Sequence, residues 1–259
     1  MNLLKQAALL GGAALVQARE KCKALVLSGG GTNGAWEAGV VWQLLHSENA
    51  DDYDWDVVTG VSAGAINAAL LGVYDSTDGV AGSEWLVEQW LSLQNGSIYR
   101  PWGDIADKPS IFDNSYGAET FRKFLEPFGE FKRVVSVTAA DINEGLPWRM
   151  SSLDTPLADY HLAVTASAAI PLVFPPSHFQ GKLLMDGGTI WNTNIEQAVD
   201  MCTEFLGYED AENDIIVDIL ITETADNIPE WKKSGNAASN FLRSQDIKAS
   251  QRGTNVIDS

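Results

Sequence analysis

An α/β fold, with a mostly parallel central sheet and helices on both faces, is predicted by three features of the sequence. Short apolar runs rich in β-branched residues alternate with longer runs at helical spacing, the pattern of strand–helix–strand crossovers. Glycine-rich corners stand at two strand-to-helix junctions, residues 29–34 and 60–64. The chain, 259 residues with 45% hydrophobic content, is long enough to bury one substantial core. No internal repeat or low-complexity run divides it.

The elements follow in order. Residues 23–27 (Lys-Ala-Leu-Val-Leu) form a compact apolar strand, and Ser28-Gly29-Gly30-Gly31-Thr32-Asn33-Gly34 follows at once. From residue 35 to 45 apolar side chains recur at helical spacing, with Trp36, Val40, Val41, Leu44 and Leu45 expected on the buried face. Polar residues 47–54 are a loop, and 55–61 is a second buried strand. Gly60-Val61-Ser62-Ala63-Gly64 then turns the chain into an alanine-rich helix over 63–74. After a linker rich in Gly, Ser and Asp, residues 83–93 read as a helix in which Trp85 and Trp90 join the core.

Residues 95–114, with Pro101, Trp102, Gly103 and Pro109, are an irregular excursion, and 118–128 is another helix. The β-branched density of 133–142 marks a central strand, with 147–152 beside it. Thr155-Pro156 opens a helix with Thr as its cap, and Pro171 follows its end. Residues 181–185 form a short strand that breaks at Asp186-Gly187-Gly188. A helix over 195–206 and a strand over 215–222 complete the pattern, and beyond residue 226 the chain turns polar.

Charge narrows the partners. A formal net charge of -18 repels phosphate backbones and argues against nucleic acid. It also gives no attraction to strongly anionic membranes. Lys5, the apolar stretch 7–16 and the small residues around Ala18 have the layout of a secretory signal peptide over 1–18, too short to span a bilayer. That places the protein in the secretory pathway, secreted or vacuolar, or in the cytoplasm if the segment is not a signal. Cys22 and Cys202 both lie after the cleavage point; separation alone does not say whether they pair.

Three motifs sit at the carboxyl ends of expected strands, where ligand sites of open α/β sheets gather. Gly60 to Gly64 satisfies G-x-S-x-G, a nucleophile elbow that forces Ser62 outward at a helix N-terminus. Gly29 to Gly34 satisfies G-x-G-x-x-G, which raises a dinucleotide site. The acids that would bind ribose, Asp51, Asp52, Asp54 and Asp56, precede the second strand instead of ending it, and this counts against a dinucleotide. Consecutive glycines serve better as an oxyanion pocket, with backbone N–H groups of Gly29, Gly30 and Gly31, joined by Ala63. A serine nucleophile needs a base. Of the three histidines, His46 closes a helix and His161 lies within one, leaving His178, in an expected loop, as the triad candidate. Otherwise a carboxylate acts directly, and Asp186 suits that role because Gly187 and Gly188 allow a tight turn and close approach.

Taken together, the glycine loop, the serine elbow and Asp186-Gly187-Gly188 resemble the patatin-like phospholipases. Ser167-Ala168-Ala169-Ile170-Pro171 and Phe174-Pro175-Pro176 resemble the stretch that family carries ahead of its aspartate. The resemblance covers residues 23 to 222 and implies a three-layer α/β domain over 22–225, with 226–259 completing or flanking it. It further implies a Ser62–Asp186 dyad, no metal or other cofactor, and acyl esters of lipids at a membrane, micelle or droplet surface as substrates. Many members carry Asp before the glycines and Arg or Lys within the loop, where this chain has Ser28 and Asn33. Neither change removes a backbone N–H, but the missing cation weakens the case for a phosphate headgroup. A catalytically silent lipid-binding or storage protein, or a histidine-triad hydrolase using His178, are the rival expectations. Trp102 is the candidate interfacial anchor.

Overall fold

The computed structural model describes residues 20–104 and 107–222, with positions 240, 243, 244 and 247. The expected signal segment 1–18 lies outside them, as does the 226–259 segment apart from those four positions.

Strand β1 (Cys22–Leu27) leads through a 3-10 turn (Gly31–Asn33) into helix α1 (Gly34–Leu45). Strand β2 (Val57–Val61) leads through Ser62 into α2 (Ala63–Gly72), and α3 (Gly79–Ser92) follows. The 95–114 excursion contains a minimal hairpin, β3 (Arg100–Pro101) and β4 (Phe112–Asp113), before α4 (Ser115–Leu125). Then come β5 (Val134–Asp141), β6 (Pro147–Ser151), α5 (Leu157–Ser167), β7 (Ser177–Phe179) and β8 (Lys182–Asp186). Helix α6 (Ile195–Asp200) runs into a π turn (Met201–Phe205), and a short α7 (Ala211–Asp214) precedes β9 (Ile215–Leu220).

The sheet runs β7-β8-β5-β2-β1-β9, with β6 also on β5. Strands β9, β1, β2 and β5 pair in parallel, whereas β6 and β8 pair antiparallel to β5, and β7 pairs antiparallel to β8. Alternation along β1 divides two cores. Leu25 and Leu27 face the larger one with residues of α1 to α5, while Cys22, Ala24 and Val26 face a smaller one with Ala198 of α6. Helices therefore cover both faces, as the strand–helix alternation requires. Cys22 and Cys202 form a disulfide that ties the start of β1 to the π turn on the smaller core.

Local expectations needed correction at several points. Helix α3 begins at Gly79, because Gly79 and Gly82 are buried at helix–helix contacts that a linker would not make. Thr155 is not a cap: its hydroxyl bonds Asp154, and Pro156 occupies the cap position. His178 lies on an edge strand, not a loop, paired opposite Leu183. Trp36 is 56% exposed, not core, because α1 turns Ala38, Val41 and Leu45 inward and leaves residue 36 outside that stripe. Trp85 and Trp90 are half-buried. Among the described residues no helix is long and apolar enough to cross a membrane.

Candidate active site

The site is built at the carboxyl ends of β1, β2 and β8. Ser62 caps α2 with φ 53° and ψ -117°, a conformation L-residues rarely hold and one that costs about 1–3 kcal/mol. Neighbouring bonds maintain it. The Ser62 N–H donates to Ser167 Oγ at 3.0 Å, and the Ser167 hydroxyl donates to the Thr138 carbonyl at 2.6 Å. The Ser62 carbonyl accepts from the N–H groups of Ala65 and Ile66 in the first turn of α2. Gly60 and Gly64 are demanded by close approach: a Cβ on Gly60 would run into the Gly64 carbonyl, and one on Gly64 into the Leu27 carbonyl.

Asp186 ends β8 and is buried beside the serine. Its Oδ2 accepts the Ser62 hydroxyl at 2.7 Å, and its Oδ1 accepts the Gly188 N–H at 2.8 Å. The Asp186 N–H is held by the Ala169 carbonyl at 2.9 Å, so the stretch that follows α5 positions the carboxylate from behind. Burial pushes its pKa up from 3.8 to about 6, against the lowering effect of the bonds from Ser62 and Gly188. Gly187 is buried against the Thr138 carbonyl, which leaves no room for a side chain there.

The glycine loop lies against the same serine: a Cβ on Gly29 would meet Ser62 Cβ at 3.1 Å. One expected oxyanion donor must be withdrawn. The Gly29 N–H donates to the Asn192 carbonyl at 3.0 Å and is not available to a substrate. Gly30 and Gly31 precede the first bonds of the 3-10 turn, and Ala63 opens α2, so their N–H groups lack intrahelical acceptors. Gly34 packs against Ala63 and the Trp90 ring, bringing α1 to α2 and α3. His178 is exposed on β7, whereas the Ser62 hydroxyl is bonded to Asp186; the triad arrangement is not formed. Among the described residues no cluster of His, Cys, Asp or Glu could hold a metal ion.

Several polar residues around the site carried no sequence signal. Asn192 bonds Gly29 in both directions, and Thr222 bonds both Ser28 and Gly29. Asn194 and Gln197 bond Thr138 and each other beneath the elbow, and Gln197 also reaches Ser136. Glu37 on α1 is fully buried, with one oxygen accepting Asn67 Nδ2 at 2.7 Å and the other without a partner. Asn67 also donates to the Gly34 carbonyl at 2.9 Å and accepts the Trp90 indole N–H at 2.7 Å.

A serine at a strained strand-to-helix corner, bonded to a buried aspartate beside a glycine loop, defines an α/β protein of the nucleophile-elbow class. The chain belongs to the patatin-like phospholipase family, whose model matches residues 25–199. An uncharacterized protein of Acanthamoeba polyphaga mimivirus is 23% identical over 180 residues, 66% of this chain and 59% of that one. Among solved structures, VipD from Legionella pneumophila aligns with a TM-score of 0.43 at 15% identity, over 78% of this chain and 50% of that chain. ExoU of Pseudomonas aeruginosa, in its complex with SpcU, aligns with a TM-score of 0.32 at 16% identity, over 93% and 53%. The chain thus spans less than two thirds of each of these proteins.

Proposed function

We propose that this chain is a lipid acyl hydrolase that cleaves fatty-acyl esters of phospholipids or other glycerolipids through an acyl-serine intermediate. The observation that carries the reading is the 2.7 Å bond from the Ser62 hydroxyl to Asp186, both side chains buried at the head of α2. Ser62 Oγ attacks the ester carbonyl while its proton passes to Asp186 Oδ2. The carbonyl oxygen becomes an oxyanion held by the N–H groups of Gly30, Gly31 and Ala63. The intermediate collapses, the alkoxide leaves with the proton from Asp186, and the acyl group stays on Ser62. Water then attacks the acyl-serine, giving its proton to Asp186; the second tetrahedral intermediate collapses, Ser62 Oγ leaves with that proton from Asp186, and the fatty acid departs. Two carboxyl-end loops and one helix N-terminus supply every group these steps use.

Family membership supports a lipid substrate. Trp36, two residues past the glycine loop in sequence, is 56% exposed and offers an aromatic contact to a lipid surface. Trp102, by contrast, is half-buried, its indole N–H bonded to Ser110 and its ring under Lys108. The Cys22–Cys202 disulfide supports maturation in an oxidising compartment, in line with secretory routing.

The test is product analysis on phospholipid, galactolipid and neutral glyceride with a chelator present. Ser62→Ala and Asp186→Asn should each lower turnover by roughly three orders of magnitude or more while the protein stays folded. Fluorophosphonate should label wild type and not Ser62→Ala. Full turnover in either variant would remove the dyad, and an unlabelled wild type would favour a silent lipid-binding protein.

A further inference from the structure

The peptide unit that joins Gly29 to Gly30 is gripped at its oxygen from two sides. The Gly29 carbonyl accepts a bond from Asn192 Nδ2 at 2.8 Å and another from the Thr222 hydroxyl at 2.7 Å. Asn192 lies six residues past Asp186, and Thr222 two past the end of β9. Each is itself held. The Asn192 carbonyl takes the Gly29 N–H at 3.0 Å, which closes a reciprocal pair. The Thr222 N–H donates to Ser28 Oγ at 2.9 Å, and the two hydroxyl oxygens lie 3.1 Å apart. Because the Thr222 hydroxyl hydrogen goes to Gly29, the Ser28 hydroxyl is the donor between them. Asn33 Nδ2 reaches the Thr222 carbonyl at 3.4 Å. Ser28 and Asn33, where the glycine loop departs from the common family pattern, therefore both bond Thr222.

The clamps also fill the space beside the glycines. A Cβ on Gly29 would run into Asn192 Oδ1, and one on Gly30 into Thr222 Oγ1. What these contacts control follows from peptide geometry. A trans peptide is planar, with its C=O and N–H on opposite edges, and no described peptide bond is cis. Fixing the Gly29 oxygen therefore fixes the direction of the Gly30 N–H. Two donors on that oxygen also polarise the amide and strengthen its N–H as a donor.

We propose that Asn192 and Thr222 are positioning residues for the oxyanion pocket, which set the direction and donor strength of the Gly30 N–H by holding the Gly29 oxygen. The proposal rests on the reading of Ser62 as nucleophile. Neither residue touches the reacting atoms; each acts through the Gly29–Gly30 peptide. Their loss should weaken binding of the transition state and leave the ground state alone.

The test compares Thr222→Val, which keeps shape and loses the hydroxyl, with Thr222→Ser, which keeps the hydroxyl, and with Asn192→Ala. Active sites are titrated with fluorophosphonate, kcat and KM are measured on a soluble short-chain ester, and affinity is measured for a trifluoromethyl ketone that forms an oxyanion adduct. Removing one oxyanion donor costs about 100–1,000-fold in kcat, so misdirecting one should cost roughly 10–100-fold. Thr222→Val and Asn192→Ala should show that loss with KM within about twofold, and ketone affinity should fall in parallel with kcat/KM. Thr222→Ser should stay within about threefold of wild type. Wild-type kcat per titrated site in Thr222→Val and Asn192→Ala would overturn the proposal. So would a loss in Thr222→Ser equal to that in Thr222→Val, or a loss confined to KM or to melting temperature. A wild-type protein that takes no label and turns over no ester would sink the Ser62 reading, and this inference with it.

Discussion

In the proposed mechanism Asp186 accepts a proton from an alcohol, a task poorly matched to a solvated aspartate with a pKa near 4. Its surroundings change that. Burial raises the pKa from 3.8 to about 6, while the bonds from Ser62 and Gly188 keep the carboxylate from rising further. The base must be ionised to act, so kcat/KM on a soluble ester should climb as pH rises through about 6 and level off above it. A profile already flat from about pH 4 upward would show that Asp186 is not the titrating base. The same shift has a stability cost. Between 3.8 and about 6 the folded protein keeps a proton that the unfolded chain releases, so stability falls as pH rises through that window. Ser62 adds a backbone cost of its own, offset by the Ser167 hydroxyl that takes its N–H. Ser62 holds a backbone conformation, and Asp186 a pKa, that a solvated chain would not have, which is common where chemistry is concentrated.

Helices α1, α2 and α3 meet behind the glycine loop through a polar core. Asn67 links Gly34, Glu37 and Trp90, one group from each neighbouring helix plus the first residue of α1. Burial pushes the Glu37 pKa from 4.5 to about 8, only partly countered by the bond from Asn67, so the side chain is neutral at pH 7. From 4.5 to about 8 the folded state holds a proton the unfolded chain has lost, and stability must fall with rising pH, by on the order of 1 kcal/mol per unit. Glu37→Gln mimics the neutral acid and should flatten that slope, with a melting temperature at or above wild type from pH 7 upward. Melting curves at several pH values check this; parallel slopes in both proteins would refute it. This network was invisible in the sequence, whereas the elbow was plain, and distance along the chain is the reason. Gly60 to Gly64 is a local pattern whose spacing carries its own geometry. The contacts of Asn192 and Thr222 with Gly29 span 163 and 193 residues, and that of Ser167 with Ser62 spans 105. Single Asn, Thr and Ser residues have no periodicity to mark them. Trp36 misled for a related reason: apolar residues crowd α1, and only packing decides which of them face inward. His178 looked like a loop residue because β7 has only three residues, too few to register as a strand by pattern.

At the scale of the whole molecule, the sheet divides the interior unequally. The larger core joins α1 to α5, and the smaller one lies under α6 and the π turn, with few large side chains among its buried members. That small layer supports the site from the other face, because Asn194 and Gln197 rise from it to Thr138 under the elbow. A thin core holds such a layer weakly by apolar burial alone. The Cys22–Cys202 bond, between fully buried cysteines 180 residues apart, fastens it to β1. Cross-linking so long a loop restricts the unfolded chain strongly, and disulfides of this kind contribute about 2–5 kcal/mol. Cys202→Ser, or reduction of the wild type, should therefore lower the melting temperature by roughly 5–15 °C. The loss should come from the α6 layer first. Amide exchange in α6 and the π turn should rise more than in α2 or β2, since a layer released from its tether opens before the larger core does. An unchanged melting temperature, or exchange that rises equally on both faces, would mean that the disulfide adds nothing the small core does not already supply.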